Sequence, residues 1–340
     1  MLKIHIIDAG HGDCIFLDFE HTKILIDCGP KKIKVRRNVI STLNQVLGAN
    51  KKIDLAIVTH NDDDHIGGFK YLLEQGIKIE KMIFNSLGDI PHIINSEVSQ
   101  VSFKQDNELR KKLLEDKSIK LETLTRVDES IEINEIKITA ITPTLEALES
   151  LMKAYEADEI KKGEKESVVT QISNHNKDET PLIECINNIQ QSNDIFINDL
   201  SKPNKSSVSI IIEYKGFRGL FLADAHAEDI IDGIKEKGYE NTQFSVTKLS
   251  HHGSEKNTSK ELLEVIGKTE YILCADKSKH NHPNNLTLAR ILNFDNNPAI
   301  HFSTSEENLS CLVRELVDSS ISIQSTFSVN YMNTILYDYK

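Results

Sequence analysis

Apolar positions in this chain fall into short runs separated by polar turns, the pattern of strands buried on one or both faces. Ile4–Ile7, Cys14–Phe19 and Ile24–Asp27 are three such runs. They predict an N-terminal β-meander, turned at His21-Thr22 and ended by Gly29-Pro30. Ile53–Thr59 is continuous rather than alternating, which predicts a strand covered on both faces. Lys81–Asn85 predicts another strand, and Ile131–Thr142 alternates as a hairpin partner. Ser207–Tyr214 and Phe217–Ala223 predict a hairpin across Lys215-Gly216, followed by strands at Phe244–Leu249 and Tyr271–Ala275. Helices are expected at Val39–Leu47, Phe69–Gln75, roughly 100–118, Ser259–Ile266 and Leu286–Asn293, with Asn284 or Asn285 as N-cap of the last. The tail from His301 alternates again and predicts edge strands.

Between about 144 and 205 the apolar period is lost and Glu, Lys, Asn and Ser dominate. Leu145–Lys165 reads as a solvated helix and the remainder as loop. The expected organisation is one α/β domain over 1–300 carrying this polar insertion, with 301–340 as a C-terminal addition to it. The 39% hydrophobic content of the 340 residues suffices for a sizeable core and excludes general disorder. No run approaches the ~20 apolar residues of a membrane helix. The opening MLKIHIIDAGHGD lacks the apolar centre of a signal peptide. A cytoplasmic protein with no membrane attachment is therefore expected. Cys14, Cys28, Cys185, Cys274 and Cys311 are widely spaced, form no CxxC pair, and read as free thiols.

The strongest chemical signal is Thr59-His60-Asn61-Asp62-Asp63-Asp64-His65-Ile66-Gly67-Gly68, directly after the buried strand. Crowded carboxylates repel, and a bound divalent cation reverses that cost. Imidazole with carboxylate suits Zn²⁺ or Mn²⁺. Gly67-Gly68 is expected to allow a tight turn into a helix near the site. Three further predicted strands end on similar residues: Asp224, then His251-His252, then His280-Asn281-His282. In layered α/β proteins that edge of the sheet is where sites assemble. Asp8 and Asp13, in a Gly-rich turn, read first as acceptors for turn N–H groups, with Asp13 orienting a metal-ligating histidine as the alternative. Asp27 is expected to support the site from behind.

His60-x-Asp62-x-Asp64-His65 with Gly67-Gly68 resembles the metal motif of the metallo-β-lactamase fold, and more closely the hydrolase domain of the ComEC competence-protein family. Asp8-Ala9-Gly10-His11-Gly12-Asp13-Cys14, Ile24-Leu25-Ile26-Asp27-Cys28-Gly29, Asn204-x-x-Ser207, Leu222-Ala223-Asp224, His251-His252-Gly253-Ser254 and His282-Pro283 resemble its other motifs in order, over residues 1 to about 293. The resemblance implies a four-layer αββα sandwich and a metal-dependent hydrolase with two divalent ions, Zn or Mn. One ion would take His60 and Asp62, the other Asp64, His65 and His252, with Asp224 bridging. No histidine stands on the strand before Asp224, where the wider fold often has a ligand. His251, beside the ligand His252 but not itself a ligand on this reading, would bind or protonate substrate, as would His282.

The function expected first is a phosphodiesterase or nuclease using a metal-activated hydroxide. Hydrolysis of a small ester, lactone or thioester is an alternative, because fold does not fix substrate. A third is an effector or regulatory subunit of a bacterial defence-type assembly, with a partner protein docking on the insertion or the C-terminal addition. The balance of 40 Lys+Arg against 52 Asp+Glu gives a net charge of −12, which disfavours extended duplex binding. Local capture of a phosphate stays open. Lys31, Lys32, Arg36 and Arg37, read as a loop on the site's rim, are the candidates for it together with Ser207.

Overall fold

The structure is a computed structural model that describes residues 1–94, 104–164, 179–318 and 321–338, with backbone alone for 158–164. Its fifteen described strands form two sheets. The first contains β1 (Leu2–Ile7), β2 (Ile15–Phe19), β3 (Thr22–Ile26), β4 (Lys52–Val58), β5 (Lys78–Phe84), β6 (Lys120–Glu122) and β15 (Met332–Tyr337) in the order β15-β1-β2-β3-β4-β5-β6. The second contains β7 (Ile131–Ile133), β8 (Ile136–Ala140), β9 (Ile210–Tyr214), β10 (Phe217–Phe221), β11 (Val246–Lys248), β12 (Glu270–Leu273), β13 (Ala299–Phe302) and β14 (Gln324–Thr326) in the order β14-β13-β12-β11-β10-β9-β8-β7.

Three apolar clusters fix the layering. Between the sheets, Leu2, Ile4, Leu17, Ile24, Leu55 and Ile57 meet Ile138, Ile210, Ile212, Phe221 and Val246. The alternate side chains of the first sheet, among them Phe16, Leu25, Ala56 and Val58, face Val39, Leu43, Phe69, Leu72 and Leu109 of the helices Ile33–Leu47, Phe69–Glu74 and Lys104–Glu115. The outer face of the second sheet packs Leu220, Tyr271 and Ile300 against Leu182, Ile230, Ile234, Leu263, Leu288 and Leu312 from five helices. Period-two alternation thus sends each strand's apolar residues to two different cores, producing the expected α/β sandwich of four layers, helix–sheet–sheet–helix.

Several expectations need correction. The basic run is not a loop: Ile33–Leu47 is one helix, and Lys34, Arg36 and Arg37 lie in its first turns. Its buried stripe is Val39, Thr42, Leu43 and Leu47. Cationic side chains on the other face are compatible with helix, so the polar stretch concealed the start. The insertion is not wholly solvated. In the helix Leu145–Glu164, Leu148, Leu151 and Met152 share one face and pack on Leu87 and Ile90. Leu182–Gln190, expected as loop, is a helix whose Leu182, Cys185, Ile186 and Ile189 follow i, i+3, i+4, i+7 spacing. The expected Leu145–Lys165 helix and the loop reading extend into 165–178, outside the described residues, as does the 100–103 part of the helix expected over 100–118. Beyond His301 the tail includes a helix, Ser310–Asp318, as well as the edge strand β14 of the second sheet. Its last strand crosses to the first sheet and pairs antiparallel with β1, Leu2 opposite Tyr337. No helix among the described residues is long and apolar enough to cross a membrane.

Candidate metal centre

The site gathers at the C-terminal ends of β3, β4, β10 and β11. After β4 the chain runs through His60 and Asp62 into a single helical turn, Asp63–Ile66, that carries Asp64 and His65. Gly67 and Gly68 have ordinary helical φ of −59° and −81°, so conformational freedom is not their purpose. A side chain at Gly68 would stand 2.0 Å from the Cys28 carbonyl oxygen, and one at Gly67 would stand 2.4 Å from Lys31 N. The two glycines let this turn press against the end of β3, where Cys28 N donates to His65 O at 2.9 Å.

Left-handed backbone recurs at these strand ends. Asp27, Ala223, His251 and His252 have φ of 57°, 48°, 46° and 56°. Such residues cost free energy and cluster where geometry is demanded by function. In an extended strand successive side chains oppose each other. Two left-handed residues in succession instead bring both imidazoles toward Asp224, with His251 Nε2 at 3.8 Å and His252 Nε2 at 3.5 Å from Asp224 Oδ2.

The other distances complete one cluster. His60 Nε2 lies 3.9 Å from Asp224 Oδ2 and 3.8 Å from Asp62 Oδ2. His65 Nε2 lies 3.4 Å from Asp224 Oδ1, and His252 Nε2 lies 3.6 Å from Asp64 Oδ2. Ligand atoms about 2 Å from a shared ion are roughly 3–4 Å from one another. His60 Nε2, His65 Nε2, His252 Nε2 and Asp224 Oδ1 are all buried without a hydrogen-bond partner. Buried polar atoms are seldom left so, and three imidazole nitrogens gathered around the Asp224 carboxylate fit bound cations. Asp13, His65, Asp224 and His252 can each place a ligand atom within 4.8 Å of the others. Asp13 is engaged elsewhere: it accepts from His252 Nδ1 at 3.0 Å and contacts the buried Lys248 ammonium.

Behind the cluster, each imidazole is held at its far nitrogen. His65 Nδ1 donates to Asp27 Oδ2 at 2.7 Å. His252 Nδ1 faces Asp13 Oδ1 and the Cys274 carbonyl, both at 3.0 Å. His60 Nδ1 is 3.2 Å from Thr59 Oγ1, which itself donates to Asp27 Oδ2 at 2.7 Å. Acceptors there put the ring proton on Nδ1 and leave Nε2 free to bind an ion. Asp13 therefore orients a ligand, rather than serving the turn as Asp8 does through Gly10 N. Lys248 carried no sequence motif; its full burial beside Asp13 and Asp224 is visible only in three dimensions.

Electrostatics follow from this crowding. Burial alone would raise Asp224 and Asp64; His252 and His65 hold both well below the usual carboxylate range. Burial opposes a proton on His252, but Asp224 and Asp13 raise its pKa to about 9. Burial and the neighbouring His65 lower His60 to about 4. Burial, then His251 and His252, lower His282 to about 2, so its imidazole is neutral.

The centre opens into a cavity of about 990 Å³. Its wall includes His11, Asp62, Asp64, His251, His252, His280, His282, Lys256 and Lys279, together with Asn204 and Asp199. Asn204 belongs to the Asn204-x-x-Ser207 motif, whereas Asp199, from the same insertion, carries no sequence motif. Of the expected phosphate binders, none lines this cavity. Lys31 Nζ lies 3.7 Å from Asp63, Lys32 precedes the helix without a capping side-chain bond, and Arg36 stacks 3.4 Å above the Tyr71 ring. Arg36 and Arg37 border a separate groove. Ser207 is fully buried at the start of the β9 segment, its carbonyl accepting from Thr142 Oγ1 at 2.7 Å.

Residues 7–83 match the sequence model of the Metallo-beta-lactamase superfamily. That stretch contains His60, Asp62, Asp64 and His65. A comparison with curated proteins finds no match. Among solved structures, the chain is similar to the metallo-beta-lactamase fold protein YhfI from Bacillus subtilis, at 12% identity over 99% of this chain and 100% of that one, with a TM-score of 0.46. It is also similar to Zn²⁺-bound PqqB from Methylobacterium extorquens, at 11% identity over 99% and 100%, TM-score 0.47. A diphosphatase of the PhnP family matches at 12% identity over 83% and 89%, TM-score 0.39. At these values the likenesses carry no argument about chemistry.

Proposed function

We propose that this chain is a metal-dependent phosphodiesterase whose two-ion centre is built on Asp224, with nucleic acid among its substrates. The convergence of four unpartnered buried donor atoms carries the metal reading. The cavity supports the choice of bond: apart from Ile195, Leu286 and Cys185, its wall is polar or charged. A closed apolar pocket, which a small ester or lactone would favour, does not surround the centre. The ordered ComEC-like motifs point the same way.

His60, Asp62 and Asp224 would hold one ion, and Asp64, His65, His252 and Asp224 the other. Divalent ions there supply Lewis-acid activation of water and of the scissile phosphoryl group. The chain's own contribution is orientation. Asp27 and Asp13 fix the tautomers of His65 and His252. Lys279 Nζ, half-exposed and 3.5 Å from Asp64 Oδ2, presents a cation to a phosphate oxygen at the cavity mouth. His282, neutral, serves as a hydrogen-bonding group for substrate rather than as a proton source.

The test is hydrolysis of bis(p-nitrophenyl) phosphate, single-stranded DNA and RNA with Zn²⁺ or Mn²⁺, beside p-nitrophenyl acetate and a lactone. Asp64→Ala and His65→Ala should each lower phosphodiester turnover by about 10²-fold or more, since each removes an ion ligand. Undiminished cleavage by the double variant, or cleavage of carboxyl esters alone, overturns the reading.

A further inference from the structure

On the two-ion reading, the ligand sets drawn from the motifs are unequal. Asp64, His65, His252 and Asp224 give the second ion four protein ligands, whereas His60, Asp62 and Asp224 give the first only three. No histidine precedes Asp224 on its strand to make up the difference. The left-handed turn after β11 offers one from another direction.

His251 Nε2 lies 3.8 Å from Asp224 Oδ2, close to the 3.9 Å of His60 Nε2 from the same atom. Its Nδ1 is 3.0 Å from Asn257 Oδ1 and 3.4 Å from Asp199 Oδ2. Asn257 is fully buried, and its Nδ2 points to Asp199 Oδ2, the Asp224 carbonyl and the Ala225 carbonyl at 3.1, 3.3 and 3.2 Å. That pins its Oδ1 toward the ring. Asn204 Nδ2 is also 3.3 Å from His251 Nδ1, but it is closer to Asp199 Oδ2, at 2.7 Å. Asn257 Oδ1, with the Asp199 charge behind it, places the ring proton on Nδ1 and turns the Nε2 lone pair toward Asp224. His65 and His252 show the same arrangement.

We infer that His251 is the fourth protein ligand of the first ion, positioned by Asn257, whose amide is in turn held by Asp199 from the insertion. Asp199 is tied into the fold by its backbone N–H, which donates to Lys256 O at 3.2 Å, and by Ser201 N, which donates to its Oδ1 at 2.9 Å. The segment that carries it is anchored further by Asp194, which receives two hydrogen bonds from the buried Arg290 at 2.8 and 2.7 Å. Occupancy of the first ion position is thereby tied to the insertion, while the second depends on elements of the sandwich alone.

This rests on the two-ion reading, and the test separates the two. Full-length protein is dialysed against Zn²⁺ and its metal content counted, and the d–d absorption of Co²⁺-substituted protein is followed during titration. Wild type should take two ions and His251→Ala one. Asp199→Asn should keep the second ion and weaken the first by about 10–100-fold, the usual cost of losing a partner behind a ligand. Its Co²⁺ spectrum should lose the contribution of the weaker site. Two ions at wild-type affinity in His251→Ala overturn the assignment. If that variant does not fold, Asp199→Asn decides, and unchanged affinity and spectrum there overturn it. One ion in the wild type overturns the two-ion reading itself, and the inference with it.

Discussion

Replacing Asp27 by Asn tests how the centre is held together. Asp27 is fully buried, and its carboxylate takes three hydrogen bonds: Thr59 N at 2.9 Å, Thr59 Oγ1 at 2.7 Å and His65 Nδ1 at 2.7 Å. Its φ of 57° is one that Asn adopts readily, so the change adds little backbone strain. The new amide can still accept from Thr59 N, but its NH₂ then faces two groups that were donors. His65 must either leave two N–H groups opposed or move its proton to Nε2, the atom required by the ion. Two hydrogen bonds to a charged acceptor are worth about 1.5–3 kcal/mol each, so a net loss near 3 kcal/mol is expected in metal-free protein. With an unfolding entropy of about 2.1 cal/mol/K per residue, or roughly 0.7 kcal/mol/K for this chain, that lowers Tm by about 4 °C. Losing about 10–100-fold in ion affinity widens the gap by a further ~2–4 °C in saturating metal. Melting with EDTA and with excess Zn²⁺, beside a chelator-competition Kd, measures both terms. A Kd within threefold of wild type and an equal gap in both conditions would refute the orienting role of Asp27.

Gly68→Ala should cost about 3 kcal/mol or more in a urea titration, because its Cβ meets the Cys28 carbonyl oxygen rather than a movable side chain; a change under 1 kcal/mol would refute the close-approach argument. Lys248→Met leaves Asp13 buried without its cation and should destabilise by about 3–5 kcal/mol, read as a lower urea midpoint. An unchanged midpoint would show the ion pair to be dispensable. In metal-free protein His252, raised to about 9, and His65, raised against its burial by Asp224 and Asp27, each hold a second proton near neutrality, and an incoming ion must displace both. Affinity should therefore fall by up to about a hundredfold for each pH unit lowered through neutrality. Calorimetry in buffers of different ionisation enthalpy counts those protons, and zero release near pH 7 would contradict the assignment of both histidines.

The sandwich was legible because its strands are apolar runs with sharp ends, as Ile53–Thr59 illustrates. The ligand-type residues were legible too, because they stand directly after such runs. What escaped was whatever depends on distant pairing. The sequence puts Asp27 behind the site and makes Asp13 a candidate to orient a histidine, but which imidazole each one holds shows only when His65 and His252 are seen against them. Lys248 sits inside a strand, where sequence offers no reason to expect a buried ammonium. The Leu182–Gln190 helix spans barely two turns within polar surroundings, too short for its period to stand out. The Lys31–Arg37 run misled for a different reason: a concentration of cations suggests a ligand, yet as the start of an amphipathic helix it has a solvated face of its own.

The pairing of β15 with β1 constrains how the molecule is made. The outer edge of Leu2–Ile7 is covered by Met332–Tyr337. At about 5–20 residues per second, translation leaves that edge bare for roughly 15–65 s. For roughly 10–40 s of that interval His60 and His65 wait for Asp224 and His252 to emerge. Such long-range closure slows folding and exposes an unpaired edge to other nascent chains. Expression at low temperature or with a chaperone should therefore raise the yield of folded protein more than any change to the metal centre.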